Sequence, residues 1–92
     1  LGAYFRLEQL KENLMRAKFA LKEEVSKKQG DQRLCFQYGV WTYSDKHKEY
    51  GYRFTWRKPN GNMLTRGQAR IPSMAVANEL MNRARHRGWG NY

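Results

Sequence analysis

The sequence predicts an α+β domain: a long N-terminal helix, a three-stranded antiparallel sheet, and a C-terminal helix packed on that sheet. Three observations predict it. An apolar stripe runs at helical spacing through the first 29 residues, aromatic and β-branched residues fill 33–43 and 50–57 on either side of a polar loop, Ser44 to Glu49, and Pro72-Ser73 introduces a second helical stripe. With 92 residues, the chain has room for one such domain, residues 1–92, and not for two.

Leu7, Leu10, Leu14, Ala17, Leu21 and Val25 recur at steps of three and four, which predicts one helix over residues 1–29, its regular part from Ala3 to Gln29. Lys11, Lys18 and Lys22 lie off the stripe among Glu8, Glu12, Glu23 and Glu24. Lys27 and Lys28 suit the negative end of a helix, and Gly30-Asp31 supplies a stop. Such a helix would span roughly 40 Å at 1.5 Å per residue and overhang a small sheet. A homodimer contact with a second copy is therefore expected along part of the stripe, with packing on the domain's own sheet as the competing reading.

The sheet is expected over residues 32–71. In Arg33–Tyr43, Leu34, Phe36, Tyr38 and Val40 share one face, and Cys35, Gln37, Gly39, Trp41 and Tyr43 the other. Tyr50–Arg57 alternates most cleanly. Asn60-Gly61 predicts a two-residue hairpin turn into a third strand over residues 62–71. Tyr50, Tyr52, Phe54 and Trp56 would then oppose Ile71, Ala69, Gly67 and Thr65 on the core face. Ser73 is the expected N-cap of a helix over residues 73–87, with Val76, Ala77, Leu80, Met81 and Ala84 turned inward and Gly88 as the stop. Trp89 and Tyr92 are expected to tuck back onto the domain.

Charge narrows the function. The chain carries 18 Lys or Arg against 8 Asp or Glu, a net of +10 with a pI near 10.1. Residues 1–50 hold 10 basic and 7 acidic side chains, whereas residues 51–92 hold 8 and 1. Self-repulsion of this size costs stability, and a polyanionic partner offsets it. In the expected register Arg53, Thr55 and Arg57 share a face with Leu64, Arg66, Gln68 and Arg70, with no acid among them. Arginine forks match phosphate and the guanine edge, glutamine can pair with adenine, and a two-stranded ribbon fits the major groove. The competing reading is a solvated face whose arginines cover the aromatic layer or bind an acidic protein. Arg83, Arg85 and Arg87, with His86, crowd the end of the last helix. They exceed what the helix dipole requires, which points to backbone-phosphate contacts.

The expected function is thus non-enzymatic binding of nucleic acid, duplex DNA ahead of structured RNA, in a small regulator of transcription or of a mobile element. A protein-interaction module is the alternative. No P-loop, GxGxxG, GxSxG or HExxH motif is present, so no catalytic residue, cofactor or metal is expected. His47 and His86 lack neighbours at metal-ligand spacing. Cys35 stands alone and reads as a buried thiol, which fits a reducing, cytoplasmic compartment, with nucleoid association expected if the source is bacterial. Mean hydropathy is −0.97, with no apolar run near the roughly 18 residues of a membrane span and no signal peptide in view.

The order strand-strand-strand-helix from Arg33 to Arg87 resembles plant AP2 and integrase-type DNA-binding domains, which implies readout through the sheet face. With the first helix included, the order is similar to the double-stranded-RNA-binding domain. That family needs a lysine cluster at the start of its last helix. Here the position reads Pro72-Ser73-Met74-Ala75-Val76, without one.

Overall fold

The computed structural model describes residues 17–64 and 69–90. Three strands, β1 (Lys18–Gln29), β2 (Gln32–Thr42) and β3 (Lys48–Arg57), form one antiparallel sheet in the order β1-β2-β3. One helix follows, α1 (Met74–His86).

The expected N-terminal helix is corrected here: its second half, Lys18–Gln29, is a strand. The first half lies outside the described residues, and with it the expected dimer contact. The reason is pairing. Residues Leu34 to Val40 are buried without interruption, so β2 is central and requires a neighbour on both sides. β1 supplies one, from Lys18 opposite Thr42 to Gln29 opposite Gln32. Tertiary pairing thus overrides the helical spacing and the helix-favouring lysines and glutamates. Gly30-Asp31 is not a helix stop but the loop of this hairpin. Gly30 has φ +65°, the left-handed conformation that the first position of a two-residue hairpin loop requires. An irregularity between Leu21 and Glu23 puts Leu21 and Val25, both on the supposed helical stripe, on opposite faces.

The sheet therefore covers residues 18–57, not 32–71, and the expected third strand over 62–71 is also corrected. Beyond β3, among the described residues, only Met63 bridges to Arg57. The turn holds three residues, not two. Lys58 N donates to Asn62 O (2.8 Å), Gly61 N donates to Lys58 O (2.9 Å), and Gly61 takes φ +87°. One extra loop residue shifts the register by one, so that Met63 is the residue opposite Arg57. Met63, not Leu64, thus lies on the arginine side.

The β2–β3 loop repeats this geometry. Tyr43 N donates to His47 O, Lys46 N donates to Tyr43 O, and Lys46 holds the left-handed position at φ +68°. His47 N bonds Asp45 Oδ1, as Asn62 N bonds Asn60 Oδ1. Glycine fills that position in one loop and lysine in the other, where a side chain costs about 1–2 kcal/mol.

The helix and its caps follow the sequence. Ser73 Oγ accepts from Val76 N (3.2 Å), and Gly88, at φ +90°, ends the last turn. Gly88 N donates to Arg85 O and Trp89 N to Ala84 O, the paired closing bonds of a Schellman motif. α1 packs against β1 and β2. The core joins Val25, Leu34, Phe36 and Tyr38 to Leu80, Ala84 and Trp89, so Trp89 does tuck back; Tyr92 lies outside the described residues. No helix among the described residues is long and apolar enough to cross a membrane.

Candidate nucleic-acid interface

The helix occupies one face of the sheet, and the odd-numbered residues of β2 and β3 form the other. Reading that second face across the strands gives its rungs. Lys28, Arg33 and Arg57 form one, Ser26, Cys35 and Thr55 the next, and Glu24, Gln37 and Arg53 the third. The sequence placed Arg53, Thr55 and Arg57 on this face, and there they are. It missed Lys28 and Glu24, because both were read as helical. It also missed Arg33, which lies directly opposite Arg57.

The face is therefore not free of acid. Arg57 Nε bonds both Glu24 oxygens (3.1 Å each) and its Nη2 bonds Oε1 at 2.8 Å, while Nη1 donates to Gly61 O. Gln37, fully buried, donates to Glu24 Oε1 (2.6 Å) and accepts from Arg53 Nε (2.8 Å). Arg53 also lies 3.7 Å over the Phe19 ring, a cation–π contact, and Met63 Sδ sits within reach of both Gln37 and Arg53. The result is a fixed network: two guanidiniums held in place through one carboxylate, one amide and one ring.

Its electrostatics are coupled. Burial pushes the Glu24 carboxyl up, but hydrogen bonds from Arg57 and Gln37 and the charge of Arg57 outweigh it and hold it below its ordinary value. The Glu24 hydrogen bond raises Arg57 against burial, while burial and the charge of Arg57 lower Arg53. Both stay charged. Cys35 is fully buried, and its thiol is pushed up to about 11, first by burial and then by the charge of Glu24. Such a thiol is unreactive. Native protein at neutral pH is expected to resist maleimide labelling, and unfolding in urea should expose one reactive thiol. Rapid labelling of native protein would contradict this burial.

The remaining candidates separate. Arg66 and Gln68 lie outside the described residues. Arg70 belongs to no strand, is exposed, and lends its carbonyl to the Trp56 indole (2.8 Å). Arg83 and Arg87 donate to Ser26 O (2.8 Å) and Glu24 O (3.3 Å), so they clip the helix to carbonyls of edge strand β1. Arg85 is held by Asn82 (2.8 Å). These three side chains are exposed, yet two already have a structural task. Among the described residues no group of His, Cys, Asp and Glu could hold a metal ion.

No protein-family model matches this chain, and no curated protein or solved structure does either. The resemblance of element order to known nucleic-acid-binding domains gains no support from these comparisons.

Proposed function

We propose that this chain is a non-enzymatic nucleic-acid-binding domain that holds duplex DNA against the helix-free face of its sheet. The observation that carries this reading is the rung Lys28–Arg33–Arg57. Three cations stand side by side across adjacent strands, roughly 4.8 Å apart; Glu24 pairs with Arg57 alone, and Asp31 lies in the hairpin loop beyond Lys28 and Arg33. Like charges directly opposite one another destabilise a sheet. A polyanion laid across the rung removes that cost. Arg57 and Arg53 are held rigid by the network, so little side-chain freedom is lost on binding. Arg33 and Lys28 are exposed, Arg33 with its Nε on Ser26 Oγ (3.0 Å), and would meet the phosphates, while Thr55 stands on the next rung.

The test uses Lys28→Glu with Arg33→Glu, because neither enters the buried network. Reversing Arg53 would break its bond to Gln37 and confuse folding with binding. Duplex affinity is expected to fall at least about tenfold at low salt, and the slope of log affinity against log salt to lessen by about two, one for each phosphate contact. Circular dichroism should be unchanged. A folded double variant that binds duplex like its parent would overturn the reading.

A further inference from the structure

The helix-side face of β3 is only partly covered. α1 packs on β1 and β2, and among the described residues it makes no comparable contact with β3. Lys48, Tyr50, Tyr52, Phe54 and Trp56 share that face of β3, and its loop end is open: Tyr50 is 63% exposed and Tyr52 41%. Rings this exposed on a well-paired strand forgo the burial that normally holds aromatics in place.

We propose that Tyr50 and Tyr52 form a stacking platform for the bases of single-stranded nucleic acid, with Lys46, Lys48 and Arg85 holding its phosphates. The proposal rests on the nucleic-acid reading above but uses the other face of the sheet. Alternate strand residues lie about 6.8 Å apart, which places two rings in succession beneath an extended strand. Tyr38 backs them from β2, with its ring 5.4 Å from Tyr52 and 6.3 Å from Tyr50, the latter pair tilted by 25°. A shallow hollow of about 230 Å³ opens between Tyr38, Tyr50, Gly51 and Tyr52. That is smaller than the roughly 300–1,000 Å³ of drug-sized pockets and suits one ring system.

The platform is rigid at its inner end. The Tyr52 hydroxyl accepts from Gly90 N (3.1 Å), and its ring lies within 18° of parallel to Trp89 at 6.2 Å. Cations flank it. Lys48 precedes Tyr50 on the same face, and Arg85 shares a second hollow with Tyr52 and Trp89. Lys46 occupies the left-handed loop position that Gly61 fills in the matching turn, so a charge is kept there against backbone preference. Among the described strand residues the one carboxylate on this face is Glu23, opposite Tyr38 on β1, while Asp45 is engaged in the loop with His47 N. Duplex bases keep their ring faces covered, whereas unpaired ones can lie on a tyrosine.

The test measures binding of fluorescein-labelled DNA and RNA single strands of about 10 nucleotides, and of a DNA duplex, to the whole chain. Tyr50→Ala and Tyr52→Ala are each expected to weaken single-strand binding about tenfold, with duplex binding retained. Tyr50→Phe should keep the affinity, and Lys46→Gly should weaken it without loss of stability. Lys28→Glu with Arg33→Glu should spare single strands more than duplex. A parent protein that binds duplex but not single strands overturns the platform alone. Folded Tyr50→Ala with parental single-strand affinity does the same. A parent that binds no nucleic acid overturns both readings.

Discussion

Gly39→Ala is expected to destabilise the domain by about 3 kcal/mol, at the upper end of what overpacking a filled site costs. Gly39 lies mid-way along β2, between Leu21 on β1 and Gly51 on β3. A methyl group there would stand 2.3 Å from Phe19 Cζ and 2.4 Å from the carbonyl oxygen of Ala20. The ring could turn aside only by leaving Trp41, 4.7 Å away, and Arg53, which it supports. The carbonyl cannot move without straining the β1–β2 ladder. Small domains hold about 5–15 kcal/mol in total, so the loss is a large share. Gly51→Ala is the natural control. Its added methyl meets only the Trp41 ring, at 3.1 Å, which can give by a few tenths of an ångström. Urea unfolding of both variants checks the contrast, and equal midpoints would show that β1 does not pack against β2 as described.

Much of the helical and central part of this fold is legible in the sequence, and the edges are not. Ser73 and Gly88 mark α1 because caps are local chemistry, read without knowing what the helix packs on. β2 and β3 are legible because their aromatic and β-branched residues fit little else. β1 is different. KFALKEEVSKKQ is rich in helix formers and has Leu21 and Val25 four apart, so its spacing favours a helix, and only the need of β2 for a second neighbour makes it a strand. That need is non-local. The same error hid half of the candidate interface, since Glu24 and Lys28 reach the arginine face only as strand residues. Asn60-Gly61 does mark a turn, but its loop holds one residue more than that pair. Met63 rather than Leu64 therefore reaches Gln37 and Arg53. A register is set by loop length, which composition does not fix.

Glu24→Gln is expected to have two opposite effects. At neutral pH it removes the charge that holds Arg57, and because the pair is about one-quarter exposed, the loss should fall between surface and buried pairs, at about 2 kcal/mol. Arg57→Met should cost at least as much, since it leaves a largely buried carboxylate with the Gln37 amide and the Cys35 thiol but no cation to balance it. The double variant should recover part of the sum, a coupling of about 1–2 kcal/mol. The pH dependence has a fixed sign. Glu24 is held below its ordinary value of 4.5 in the folded state, so its contribution is present above about pH 4.5 and is lost as the pH falls through the folded value. In Glu24→Gln that acid-induced loss should shrink, and urea midpoints at neutral and acidic pH that shift as in the parent would contradict it. Binding should move the other way. Removing the one carboxylate beside Arg57 makes the helix-free face more positive, so duplex affinity at low salt should rise although the fold is weaker. If affinity falls with stability instead, Glu24 serves to position Arg57, and the geometry of the guanidinium matters more to binding than the net charge of the face.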